Sequence, residues 1–276
     1  MLRPALRPPM RPPMRGANAP REGVGGIPFA SILALNPEVA FSAAQSGSCF
    51  QERTGAGATT PSNADEAVGS LKNWGTKGGF VVAPTDAARP ILRASGSLRY
   101  LEGDGADDVM TGALAALRGV AGWTIVAGVR NDGSTASARN VLFITSGAGN
   151  TRAGLFYAAV NGGTALAGRR ASADGAATVT GAAHAGTDYV ATGIGDYTNT
   201  DAFLRANGVQ EGSNTSWLTS GVSDNDAGSV QIFAGIGPAG FLAGRLYSLL
   251  IFGSVLSPSD LALAELWTAQ QMGITI

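Results

Sequence analysis

The sequence predicts an all-β sandwich, on three observations. Many short runs carry β-branched or aromatic residues between glycine and polar punctuation. Helical periodicity is nearly absent until the last twenty residues. Glycine is abundant at 40 residues without a G-X-Y period, and charged residues are only 14% of the chain, a turn-rich composition that is neither collagen-like nor disordered.

The elements follow in order. Residues 1–21 carry Arg3, Arg7, Arg11, Arg15 and Arg21 and no acid. Arginine recurs at every fourth position from Arg3 to Arg15, in a background of proline with Leu6, Met10 and Met14. Proline fixes φ and removes a donor, so neither a helix nor a central strand is available, and polyproline II is the natural conformation. Its rise places successive guanidinium groups about 12 Å apart. A solvated tail gains little from recurring methionine and leucine, whereas a docking peptide buries them. Residues 1–26 are thus an extended basic arm and a glycine-rich hinge, and the folded body is expected over 27–276.

Strand-length runs then occupy 97–102, 123–129, 140–145, 154–160, 187–194, 201–206, 229–236 and 245–252. Trp123, Ile125, Ala127 and Val129 fall on one face at period two. The run through Leu246, Leu249, Leu250, Ile251 and Phe252 is apolar on both faces, as a strand between two layers must be. Asn207-Gly208 is a two-residue hairpin signal. Ser257-Pro258-Ser259-Asp260 starts a short C-terminal helix, with an N-cap, proline at the first position and an early acid. Leu261, Ala264 and Trp267 share its apolar face, and Gly273 ends it.

Charge and composition exclude several classes. The chain carries net −1, with +5 in the arm, so the body is acidic and no nucleic-acid partner is expected. The single cysteine, Cys49, allows no intrachain disulfide, and the single histidine, His184, allows no multi-histidine metal site. No segment is apolar and long enough to insert in a membrane, and the basic N-terminus lacks the apolar run of a secretory signal.

Phe50-Gln51-Glu52-Arg53, Val68 to Trp74, Leu98-Arg99-Tyr100, Gly103 to Asp108, Ala206-Asn207-Gly208-Val209, Gly244-Arg245-Leu246-Tyr247 and Leu256 to Asp260 follow one another in an order that is recognisable. Over residues 30–276 this series resembles the concanavalin A-like lectin/glucanase (laminin-G-like) domains of tailed-phage structural proteins. The resemblance implies a jelly-roll sandwich of two antiparallel sheets. It also implies a glycine-rich excursion over 45–89 before the main sandwich, packed partly by Trp74.

Catalysis is the first function to weigh, because that fold includes glucanases. Their Glu-x-Asp-x-x-Glu strand is matched here only by Glu102-Gly103-Asp104-Gly105-Ala106-Asp107. The last acid is shortened, and the glycines indicate a turn rather than a rigid strand. Asp104, Asp107 and Asp108 are oxygen ligands of the kind calcium takes, but they lack a fixed calcium-loop spacing. His184 sits in a small-residue loop expected to be exposed, and no G-x-S-x-G elbow accompanies it. Cys49 has no adjacent basic group and reads as structural. No catalytic residue, metal or cofactor is therefore expected. Sugar binding asks for aromatic faces and planar polar groups on sandwich loops. Tyr197, Asn214 and Trp217 supply those types, although Trp217 equally suits a core cap.

The expected function is that of a non-enzymatic virion protein, on the exterior of a tailed phage or phage-like particle as a head fibre, decoration or tail-associated component. Arg3, Arg7, Met10, Arg11, Met14 and Arg15 would dock on capsid or tail proteins. The body would face outward as a homo-oligomer and contact host-surface polysaccharide. The alternatives are a glycan hydrolase and a stand-alone lectin or adhesin.

Overall fold

The computed structural model describes residues 26–133, 137–146, 149–158, 163–217, 219–226, 228–237 and 239–276. The arm positions Arg3 to Arg15 lie outside the described residues.

The described chain opens with helix α1 (Phe29–Leu33), then β1 (Val39–Ser42), β2 (Cys49–Phe50), β3 (Ser70–Lys72), β4 (Phe80–Val82) and β5 (Ile91–Ser95). β6 (Leu98–Asp104), β7 (Met110–Gly112), β8 (Gly122–Asn131), β9 (Arg139–Thr145), β10 (Thr151–Tyr157) and β11 (Gly163–Gly168) follow. The last strands are β12 (Ala177–Ala183), β13 (Tyr189–Asp196), β14 (Asp201–Ala206), β15 (Val209–Asn214), β16 (Val230–Ile232) and β17 (Ala243–Phe252), before helix α2 (Pro258–Met272).

These strands form a sandwich of two antiparallel sheets, with one short C-terminal helix. One sheet runs β15-β14-β13-β8-β17-β6-β5, and β1 also pairs with β17. The other runs β12-β11-β10-β9-β16-β7-β4-β3-β2. The main core lies between the sheets, and Trp123, Ile125, Ala127 and Val129 all point into it, as their period requires. A second apolar layer lies between the outer face of the first sheet and the two helices. β17 serves both layers. Its register shifts between Leu246 and Ser248, so Tyr247 is the extra residue of a bulge. Leu246, Leu249 and Ile251 therefore face the inter-sheet core, while Tyr247, Leu250 and Phe252 face the helices.

Local signals explain the ends of elements. Asn207 (φ 48°) and Gly208 (φ 77°) are both left-handed, which closes the β14–β15 hairpin. Ser257 caps α2 by accepting from the Asp260 amide at 3.2 Å, and Gly273 ends it at φ 69°. Trp267 is buried and stacks on Phe29 of α1 at 5.3 Å, so it anchors the helix.

The structure corrects two expectations of architecture. Residues 45–89 are no excursion: β2, β3 and β4 extend the second sheet to its edge. They depend on cross-strand partners, being two or three residues long, and carry no period of their own. The run 229–236 shortens to Val230–Ile232, because Phe233 turns out of the strand at φ 70°. Among the described residues, no helix is long and apolar enough to cross a membrane.

Candidate functional site

Three neighbouring strands of the first sheet, β13, β8 and β17, end together, and their loops form a shallow cleft of about 340 Å³ with mixed polar and apolar walls. Ala121 and Gly122 enter it from the start of β8. Asp196, Thr198 and Asn199 come from the turn after β13, and Gly253, Ser254 and Val255 from the exit of β17. The turn is shaped by Asp196. Its Oδ1 accepts from the amides of Thr198 (2.9 Å) and Asn199 (3.2 Å), and its Oδ2 accepts from Asn199 Nδ2 at 2.7 Å. An aspartate that bonds its own backbone two residues on makes this turn without further help. The opposite wall is held by Thr124, whose hydroxyl donates to Ser254 O (3.0 Å) and accepts from the Leu256 amide (3.1 Å). Both walls are thus set by the protein's own hydrogen bonds before any ligand arrives.

Beneath this end lie two of the residues chosen from sequence. Tyr197 and Trp217 are both 0% exposed, so neither ring offers a face to a sugar. They stack at 6.2 Å with planes 5° apart, and Trp123 meets Trp217 edge-on at 5.7 Å. Trp123 Nε1 donates to the Tyr197 hydroxyl at 2.9 Å. The physical reason is space: a Cβ at Gly195 would lie 2.6 Å from both indoles, so glycine there lets the rings fill the end of the core. Asn214 ends β15, half-exposed, and its Oδ1 accepts from the Ser216 amide at 2.9 Å, a turn-capping role. The three residues do not form one surface. Thr198 and Asn199 belong to the Tyr197–Asp201 loop that the sequence offers for sugar binding, whereas Asp196, Ser254 and Val255 carry no such expectation. The local signal was Asp196 two residues before a turn-forming Thr-Asn pair; Ser254 had none.

The long connection from β15 to β16 packs over the same end. Arg152, 1% exposed, sits at a register shift in β10, pairs with Asp224 and donates to Asp226 O at 3.1 Å. Asp224 also accepts from the Ser172 amide at 2.7 Å.

The opposite end holds the acids weighed for catalysis. Glu102 and Asp104 do lie on a strand, since β6 continues through Gly103 to Asp104; this corrects the turn expected at that point. Their face is the outer one. Glu102 is bound there by Arg93 at 2.6 Å, and Arg93 also holds Asp65 at 2.7 Å. Asp104 spends Oδ1 on the Ala106 amide at 2.7 Å. His184 is not simply exposed: its Nε2 lies 2.8 Å from Glu211 Oε1 and its ring stacks on Tyr189 at 4.5 Å. Cys49 is buried, and burial pushes its thiol up to about 12, which keeps it protonated and unreactive.

Asp104, Asp107 and Asp108 bring one oxygen each within 4.8 Å of one another, a set suited to a hard cation. Asp108 is 4% exposed, and burial, added to by the neighbouring Asp104 and Asp107 charges, pushes it up to about 7. The unfolded carboxyl ionises near 3.8, so the folded state holds the proton longer. The stability this gives is complete below about pH 4 and is lost as pH rises through 7. Asp108→Asn, which keeps an acceptor for the Asp104 amide, is expected to raise the melting temperature at pH 8 and to change it little at pH 4. Thermal melts across that range check this. Calcium that stabilises the wild type at pH 8 but not Asp108→Asn would identify the cluster as a cation site.

No family model matches the chain, and no curated protein matches it. Among solved structures it is similar to the binding domain of botulinum neurotoxin serotype G (TM-score 0.58, 11% identity, covering 85% of this chain and 51% of that one). It is also similar to the ligand-binding domain of botulinum neurotoxin serotype D in complex with N-acetylneuraminic acid (TM-score 0.56, 10% identity, 88% and 52%). A third is the Trypanosoma rangeli sialidase in complex with 2,3-difluoro-KDN (TM-score 0.52, 14% identity, 96% and 37%). The chain spans about half the length of the toxin domains. At these identities the likeness shows the fold alone, a β-sandwich.

Proposed function

We propose that this protein is a glycan-contacting module rather than a glycan hydrolase, carried on the outside of a tailed-phage or phage-like particle by its basic arm. The observation that carries the glycan reading is the cleft at the ends of β13, β8 and β17, with walls fixed by Asp196 and Thr124 and with Asp196, Thr198, Asn199 and Ser254 in its lining. The solved structures of this fold that were crystallised with sialic acid or its analogue support a sugar as the ligand class. Binding rather than turnover is favoured because Glu102 is tied into a surface ion pair and Asp104 into a turn, on the outer face of the sheet. Incubation with host-surface polysaccharide is expected to give binding without release of reducing ends. Release that is lost in Glu102→Gln or Asp104→Asn would make the protein a hydrolase instead.

The particle reading rests on the arm's sequence. Exposed ion pairs contribute only about 0–1 kcal/mol each, so Arg3, Arg7, Arg11 and Arg15 alone do not anchor one copy. Burial of Met10 and Met14, and several arms engaged together by a homo-oligomer, supply the rest. Deleting residues 1–15 is expected to leave the melting temperature nearly unchanged while the protein disappears from purified particles. Normal incorporation of the truncated protein would place the docking surface on the sandwich.

A further inference from the structure

We infer that the cleft takes a neutral, hydroxyl-rich saccharide and discriminates against carboxylated ones; the inference rests on the glycan-contacting reading above. Asp196 is the one ionisable residue among those that line the cleft. Its carboxylate only accepts hydrogen bonds, so a ligand group beside it must donate. Two backbone amides already occupy Oδ1, while Oδ2 accepts a single bond, from Asn199, and keeps capacity for a ligand hydroxyl. Thr198 Oγ1, Asn199 Oδ1 and Ser254 Oγ make no hydrogen bond to another described residue, and Thr198, Asn199 and Ser254 are exposed. The cleft therefore presents acceptors and two-way hydroxyls, the complement of a sugar's vicinal hydroxyl groups. Val255, 42% exposed, adds an apolar contact for the C–H face of a pyranose ring.

A carboxylated sugar would meet Asp196 as a like charge. Three arginines near this end are committed elsewhere. Arg118 donates to Asn225 O at 2.6 Å, Arg170 engages Thr219, Val222 and Asp174, and Arg152 is buried against Asp224. None of them lines the cleft. The ligand class thus differs from the N-acetylneuraminic acid of the serotype D toxin complex.

The test applies the full-length protein to an array of neutral hexose and N-acetylhexosamine oligosaccharides beside sialylated and uronate-containing ones. Binding is expected on neutral saccharides, at least tenfold stronger than on their sialylated counterparts. Asp196→Asn is expected to weaken it tenfold or more, with circular dichroism confirming the fold. Ser254→Ala, at an exposed hydroxyl that supports no other described residue, is expected to weaken it several-fold without touching the turn. Preferential binding of sialylated or uronate-containing saccharides would overturn the ligand class while leaving the glycan reading intact. Binding to neutral saccharides that survives both substitutions unchanged would place the sugar site outside this cleft and overturn the inference. Binding to no saccharide at all would remove the glycan reading, and this inference with it.

Discussion

Replacing Trp217 with alanine is expected to destabilise the protein by about 3–5 kcal/mol, the usual cost of deleting a large aromatic from a core that cannot collapse. The surroundings justify the upper part of that range. The indole is fully buried, lies parallel to Tyr197 and meets Trp123 at its edge. Its six-membered ring lies over Gly195 and Gly168, where a Cβ would come within 2.6 Å and 2.8 Å of it. Glycine has no side chain with which to refill the space, and the flanking strands are fixed by their ladders, so a cavity remains. Trp217→Phe is expected to lose distinctly less. Urea denaturation monitored by far-UV circular dichroism measures both. A Trp217→Ala protein of unchanged stability that had lost sugar binding would return the indole to the surface as a stacking platform.

The sequence carried some of this arrangement in a form that can be read. Period two on β8, the two-sided apolar run of β17, Asn207-Gly208, and the cap and stop of α2 are local rules, each satisfied within a few residues. β11 and β12 were not legible, because Gly163–Gly168 and Ala177–Ala183 are mostly small residues that become strands only through pairing with neighbours. Tyr197 and Trp217 read as sugar-facing because they stand among Asn, Thr and Ser, the ordinary marks of a loop; the core cap that equally suits Trp217 is the role it takes. The opposing signal lay just upstream. Gly193, Gly195 and Tyr197 share a face at period two, and two glycines on the inner face of a strand leave room for side chains from elsewhere, which Leu166 fills at Gly193 and the Trp123 and Trp217 indoles fill at Gly195. The cleft itself was beyond reach of any local rule, since Asp196 and Ser254 meet only when β13 and β17 flank β8.

Asp224→Ala is the second substitution with a large expected effect, about 3 kcal/mol, because it removes the carboxylate partner of a buried guanidinium and leaves that charge behind. Arg152 is 1% exposed, and guanidinium does not lose its proton at any ordinary pH, so the charge stays buried with, among the described residues, the Asp226 carbonyl left to meet it. The Ser172 amide loses its acceptor in the same step. Both losses fall on the connection between β15 and β16, which Asp224 and Asp226 tie to β10. Residues 219–226 are therefore expected to exchange amide hydrogens faster than the strands beneath them. Asp224→Asn, which keeps an acceptor but not the charge, is expected to fall between the wild type and alanine. The double substitution Arg152→Met, Asp224→Leu removes both charges at similar volume and is expected to recover most of the loss, since much of the single-site penalty is the stranded cation. Guanidinium-chloride unfolding of the four proteins separates these terms. An alanine variant as stable as the wild type would show that water reaches Arg152, and that the pair contributes no more than a surface contact.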